Sequence, residues 1–195
     1  MIPSIQLYAW TYQLLSDVVE ALPPQPGKPG REDYEYQRRG VANLFIFFEP
    51  LVGWRHVEVS QHRTAEDWAI AMRELSLRYP DAEKILVVMD NLNTHSPASF
   101  YKVFEPEEAF ELCQRFEFHY TPKHGSWLNM AEIELSVLAR ECLNQRIGDI
   151  TTLARYVSIW EEERNRKVVK VDWRFTTKDA RIKLKRLYPI LKNHD

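Results

Sequence analysis

The chain has 195 residues, 45% of them apolar and 12% aromatic, with a formal net charge of −2. That length suits one domain with a substantial core, and that apolar share excludes a disordered chain. No run approaches the roughly eighteen apolar residues of a membrane span, Met1-Ile2-Pro3 does not open a signal peptide, and Cys113 and Cys142 make no disulfide scaffold, which points to an intracellular chain.

The charge is unevenly spread. Residues 164–195 hold eleven Lys or Arg against three acidic residues, about +8, which leaves about −10 on the preceding residues. A basic end on an acidic body suggests a phosphate-contacting arm, and the plainer alternative is a solvated surface on amphipathic helices.

In chain order, Ile5 to Trp10 reads as a strand, Asp17 to Ala21 as a short helical or irregular piece, and the prolines and glycines from Pro23 to Gly30 as an extended loop. Two strands follow, Val41 to Phe48 and Trp54 to Ser60, joined through Glu49-Pro50-Leu51-Val52-Gly53 at hairpin length. In the second of them Arg55, Val57 and Val59 alternate with Trp54, His56, Glu58 and Ser60, and only the valines are plainly core-facing. Thr64 with Asp67 makes a capping box for a helix that runs to Tyr79 on a Trp68, Met72, Leu75 stripe and stops at Pro80. Lys84 to Met89 is apolar enough for a central strand buried on both faces. Helical segments at Pro97 to Phe104 and Pro106 to Cys113 lead to a strand, Phe116 to Tyr120. A turn-rich loop and two helices, Asn129 to Asn144 and Thr152 to Lys167, complete the pattern. This order predicts an α/β mixed sheet flanked by helices on both faces.

Chemistry concentrates where the buried strand ends. Asp90-Asn91-Leu92-Asn93-Thr94-His95 leaves the carboxyl end of that strand, the edge where open α/β sheets place ligands. The alternative is that Asp90 and Asn91 merely cap the loop and the next helix. A second carboxylate, Glu132, follows the Pro122-to-Asn129 loop and shares a helix side with Asn129 and Ser136. Glu134 lies toward Val137 and Leu138 and is expected to be a peripheral salt-bridging residue. Asp90 and Glu132 can supply hard oxygen ligands to Mg²⁺ or Mn²⁺, and phosphodiester cleavage uses carboxylates to gather such ions. His95, His119, His124 and Cys113 lack paired zinc-ligand spacing, and no GxSxG nucleophile turn exists.

Several segments together resemble a known family. They are Asp33-Tyr34-Glu35-Tyr36, the Asp90 to His95 stretch, Thr121 to Glu132, Trp160, Arg164-Asn165, Trp173 to Thr176 and Asp179-Ala180-Arg181. Over roughly residues 10 to 190 the chain resembles bacterial insertion-sequence transposases of the DDE superfamily, distantly related to mariner elements. The resemblance implies a ribonuclease-H-like catalytic domain over residues 1–165, followed by a basic helical extension over 166–195 packed on it. It further implies metal-dependent cleavage and strand transfer at element ends, with Mg²⁺ or Mn²⁺ as cofactor. Asp90 and Glu132 match the second and third acidic positions. Asn91, Asn93 and His95 match the polar shell after the aspartate, and Lys123, His124 and Asn129 match the loop before the glutamate. The implied partners are double-stranded DNA, both transposon ends and target, and a second copy in a homodimer. The expected place is the cytoplasm, at the nucleoid, with no membrane. Arg164, Arg166, Lys167, Arg181, Lys183, Lys185 and Arg186 are the candidates for DNA-backbone contact.

Two departures from the family pattern bear on activity. The helix-turn-helix region that family members carry before this domain is not in the sequence. The first aspartate, counted back from Tyr12-Gln13-Leu14, falls on Tyr8, with Ala9 at its acidic neighbour. A neutral phenol is a poor metal ligand. Truncation or a shifted reading start would explain both, and the expectation is an impaired catalytic domain that holds its ion weakly. The alternative is a non-catalytic DNA-binding or dimerising remnant.

Overall fold

A computed structural model describes residues 2–19, 25–28, 34–90, 95–121, 129–171 and 176–183. Strands β1 (Ser4–Asp17), β2 (Tyr36–Glu49) and β3 (Trp54–Ser60) are followed by helix α1 (Ala65–Arg78) and strand β4 (Ile85–Met89). A 3₁₀ turn (Pro97–Lys102), helix α2 (Pro106–Arg115) and strand β5 (Phe116–Tyr120) come next. Helices α3 (Met130–Glu141), α4 (Ile150–Arg166) and the short α5 (Thr177–Lys183) end the series. The sheet runs β3-β2-β1-β4-β5, antiparallel on its first two pairings and parallel on its last two.

Period-2 alternation divides the core between the two faces. On one, Ile5, Leu7, Ala9, Phe45, Phe47, Val87 and Met89 pack beneath Trp68, Met72 and Leu75 of α1, Leu112 of α2 and Phe100. On the other, Leu14, Leu44, Ile46 and Phe48 pack beneath Leu135 and Leu138 of α3 and Leu153, Val157 and Trp160 of α4. Phe45 to Phe48 are all at most 1% exposed, so β2 is covered on both sides, each side chain contributing roughly 1.5–3 kcal/mol by leaving water. β4, expected to be buried on both faces, is only half so: Ile85, Val87 and Met89 are sealed, but Leu86 and Val88 are partly open.

The capping box is as expected. Thr64 Oγ1 accepts from the Asp67 N–H at 3.1 Å, and Asp67 Oδ2 accepts from the Thr64 N–H at 2.8 Å. The first hairpin is longer than its apolar pattern suggests. Tyr36 to Val41 are all exposed and include Arg38, Arg39 and Gly40, so no hydrophobic alternation marks them, yet they ladder with Gln13 to Asp17. A bulge between Leu14 and Leu15, with Gly40 at φ 112°, lets the ribbon bend. Leu15 donates its N–H to the Ile147 carbonyl at 2.9 Å, which pins the ribbon to the chain after α3.

The β3 edge of the sheet is closed by α4. Asn165 Oδ1 accepts the Arg55 N–H and its Nδ2 donates to the Arg55 carbonyl, both at 2.8 Å, so one amide replaces a neighbouring strand. Four residues earlier, Glu161 Oε2 accepts the Val57 N–H at 2.9 Å while Oε1 lies 3.0 Å from His56 Nδ1. The hydrogen bond to Glu161, helped by Glu58, raises the His56 imidazolium from its usual 6.5 to about 9. A raised folded-state pKa stabilises the fold fully below the unfolded value and loses that contribution as pH climbs through the folded one. The native chain should therefore lose thermal stability between pH 6.5 and about 9, and His56→Gln should flatten that part of a melting-temperature-versus-pH curve.

Candidate functional site

The carboxyl edge of the parallel half of the sheet collects the chemistry. Asp90 is the first residue past β4, and the Thr121 N–H donates 2.9 Å to the Met89 carbonyl, so β5 ends at the same level. β1 runs parallel to β4 with Gln6 opposite Val88, which puts Tyr8, two residues further on, level with Asp90. α3 arrives over the other face. Its N-cap, the buried Asn129, accepts from the Ala131 N–H at 3.0 Å and donates its Nδ2 to the Leu7 carbonyl at 2.7 Å. That bridge sets the first turn of α3, and with it Glu132, against β1 beside Tyr8.

Both carboxylates act on Tyr8, and Glu132 acts on Asp90. Burial first, then the Glu132 and Asp90 carboxylates, push the Tyr8 phenol above its usual value, so it stays neutral near pH 7. Burial also raises the Asp90 carboxyl. Glu132 adds to that rise, while Arg63 and the Asp90 backbone N–H oppose it. A half-buried Asp90 whose charge is disfavoured by burial and by the nearby Glu132 makes a place that calls for a cation. Arg63, exposed just before the Thr64 cap, supplies part of that positive charge.

His95 sits behind this edge, not in a hydrated shell. It is 1% exposed, stacked on Trp68 at 5.8 Å and tilted against Phe45 at 5.8 Å. Burial, reinforced by Arg63, lowers it to about 4, so it is neutral near pH 7. Neither ring nitrogen has a hydrogen-bond partner among the described residues. Asn91, Asn93, Lys123, His124, Lys185 and Arg186 lie outside the described residues.

Among the basic candidates, Arg166 and Lys167 are exposed at the end of α4, with Lys167 2.6 Å from Glu163, and Arg181 is exposed on α5, the helix that also holds Lys183. Arg164 instead points inward to Glu134, Nε to Oε1 at 2.8 Å. Glu134 is not peripheral as expected: it is 1% exposed and also lies 2.8 Å from Nε of Arg55, itself fully buried. Among the described residues no three His, Cys, Asp or Glu side chains gather as metal ligands, and no helix is long and apolar enough to cross a membrane.

Sequence reasoning missed Arg55, Arg63 and Glu161. Arg55 did carry a signal, since it stands in phase with Val57 and Val59 on the core-facing side of β3. Arg63 carried none, because nothing in the chain order says that the approach to α1 passes the end of β4.

The profile of a family described as DDE superfamily endonuclease matches residues 14–154. The chain belongs to that family. The match takes in Asp90 and Glu132 and begins downstream of Tyr8. No curated protein matches the chain. Among solved structures, the Mos1 mariner paired-end complex with Mn matches with a TM-score of 0.56 and 13% identity, over 85% of this chain and 51% of that one. The Mos1 transposase paired-end complex with left transposon end matches at 0.56 and 12% identity, over 86% and 51%. The Mos1 strand transfer complex matches at 0.56 and 12%, over 85% and 50%. This DDE-superfamily chain thus has the ribonuclease-H-like fold its motifs suggested, and it spans about half the length of the proteins it matches.

Because the Glu132 charge raises Tyr8, Glu132→Gln should lower the Tyr8 pKa. A ¹³C-tyrosine NMR titration, with Tyr8→Phe to assign the resonance, reads this directly, and an unmoved Tyr8 would separate the two side chains.

Proposed function

We propose that this chain is the catalytic domain of a transposase that cuts and joins DNA at insertion-sequence ends, with Asp90 and Glu132 as its metal-binding carboxylates and Tyr8 as the cause of impaired cleavage. The observation that carries the reading is the meeting of Asp90, Glu132 and Tyr8 at one sheet edge in a chain of the DDE superfamily. The Mn of one similar Mos1 complex supports a divalent ion, Mn²⁺ or Mg²⁺, for this site too. A bound divalent ion would supply Lewis acidity and a nucleophile at neutral pH.

The donor set fits one ion and not two. Asp90 and Glu132 offer anionic oxygens, whereas the phenol of Tyr8 stays neutral and cannot bridge a metal pair. Arg63, whose positive charge favours the ionised Asp90, would add to the attraction for an anionic phosphoryl group there. His95, neutral and packed against Trp68 and Phe45, would support the edge from behind without exchanging protons near pH 7. The likeness to paired-end and strand transfer complexes supports double-stranded DNA, element ends and target, as the partner; a homodimer at the nucleoid in the cytoplasm belongs to the same proposal. Tyr8 itself favours a second reading, a domain that binds DNA without cutting it.

Cleavage of labelled element-end DNA in Mn²⁺ separates the two. Wild type should cut at least tenfold more slowly than Tyr8→Asp, and Asp90→Ala or Glu132→Ala in the Tyr8→Asp background should remove the gain. Equal rates for wild type and Tyr8→Asp would sink the impairment, and no cutting by any variant would favour the binding-only reading.

The basic segment is best tested by substitution, because cutting the chain after Glu163 would remove Asn165 from β3 and Arg164 from Glu134. Replacing Arg181, Lys183, Lys185 and Arg186 with Gln should instead reduce the salt dependence of DNA affinity by roughly 0.9 log units per log unit of salt for each phosphate no longer neutralised. An unchanged slope would assign the phosphate contacts elsewhere.

A further inference from the structure

Beneath the N-terminal half of α3 lies a charged cluster in an otherwise apolar layer. Oε1 of Glu134 is 2.8 Å from Nε of Arg55 and 2.8 Å from Nε of Arg164, and its Oε2 takes a second Arg164 nitrogen at 3.3 Å. The Arg55 contact is one of charge: its Nε–H lies off the axis of a hydrogen bond. Arg55 is held in turn by the Val169 carbonyl and by the ring of Phe48 at 5.2 Å, and Arg164 by the ring of Trp160 at 5.3 Å. Three elements, β3, α3 and α4, therefore meet on one carboxylate.

Stability alone does not call for such an arrangement. Charges taken out of water lose solvation that their mutual attraction barely recovers, and buried Arg–Glu–Arg triads can be replaced by apolar residues without loss of fold. What a charged triad adds is direction. The stripe Ala131, Leu135 and Leu138 tells α3 which side to bury but tolerates small rotations. A carboxylate held by two guanidinium groups does not. Glu132 and Glu134 are two residues apart, about 160° around the helix. Whatever fixes Glu134 toward β3 and α4 therefore fixes Glu132 on nearly the opposite side. Asn129 sets where α3 begins along β1, and Glu134 sets how it is turned.

We propose that the Arg55–Glu134–Arg164 triad is a positioning device that turns α3 so that Glu132 faces Tyr8 and Asp90 across the carboxyl edge. The assignment rests on the reading of Glu132 and Asp90 as the site, but not on a metal being bound there.

The test uses the full chain with the apolar triple replacement Arg55→Met, Glu134→Leu, Arg164→Met. Circular dichroism and thermal melting report whether it folds. Arg164→Gln, which loosens the triad from its most accessible member, serves in its place if it does not. Two readouts follow. The first is the change in the Tyr8 ring ¹³C shift caused by adding Glu132→Gln, which reports contact between the two side chains without any metal. The second is Mn²⁺ affinity by calorimetric titration. The triad variant should fold, lose at least half of the Tyr8 response, and bind Mn²⁺ at least tenfold more weakly than wild type. A folded variant with an unchanged Tyr8 response overturns the proposal. Failure of wild type to bind Mn²⁺, or equal binding by Asp90→Ala, overturns the metal reading instead, and the Tyr8 readout still decides the role of the triad.

Discussion

One buried amide joins the halves of this molecule. Asn129 accepts from the first turn of its own helix and donates 2.7 Å to the carbonyl of Leu7, near the start of β1. The Leu7 carbonyl thereby gains a partner from the helix that crosses above the sheet. A buried group left unpaired there would cost about 1–3 kcal/mol. The bridge lands one residue before Tyr8, and Tyr8 is level with Asp90 through the β1–β4 ladder. A helix carrying one acidic group and a strand carrying another are thus brought to one place by a residue that belongs to neither acid.

The remainder of α3 and α4 can be understood as support for that joint. α4 closes the open edge of β3 with the Asn165 amide and the Glu161 carboxylate, which satisfies backbone groups that would otherwise invite another strand. Having docked there, it brings Arg164 under α3, where Glu134 waits. The same helix therefore protects an edge and grips the helix that bears Glu132. Losing the edge contacts would be felt at the carboxyl end of the sheet through these shared residues.

Much of this was legible in the sequence where local chemistry and tertiary need coincide. Thr64 with Asp67 announced α1, the apolar run to Met89 announced β4, and β5 matched its expected limits because aromatic residues mark both its ends. The places of Asp90, just past β4, and of Glu132, in the first turn of α3, were legible for a similar reason: each follows a clear structural boundary. The distal β1–β2 ribbon was not, since exposed residues such as Arg38 and Gly40 form strand only because the opposite strand is there to ladder with. Glu134 was expected at the surface because a charged residue usually is, and the two arginines that bury it come from positions 79 before and 30 after it. No window of local sequence contains that triad. His95 shows the same limit from the other side: it stands beside a run of polar residues, and only the packing of Trp68 and Phe45 buries it.

Gly53 gives the molecule a polarity that bears on how a long ligand could lie on it. At φ 80° in the turn after β2, Gly53 lies so close to the chain that follows α4 that an added Cβ would come within 3.0 Å of the Val168 backbone. That turn is at the end of the sheet opposite Asp90, because β2 runs antiparallel to β1. α4 starts beside the Leu15–Ser16 ribbon and, with its 17 residues, travels about 25 Å to this far pole. The chain after α4 therefore sets out beside the turn that follows β2, at the amino-terminal end of the parallel strands, whereas Asp90 lies at their carboxyl end. Tyr8, level with Asp90, stands two residues along β1 from Gln6, the partner of Phe48, so only about 10 Å of strand separates the acidic edge from the end of β2, and a ligand lying along the strands would pass from one to the other within that length.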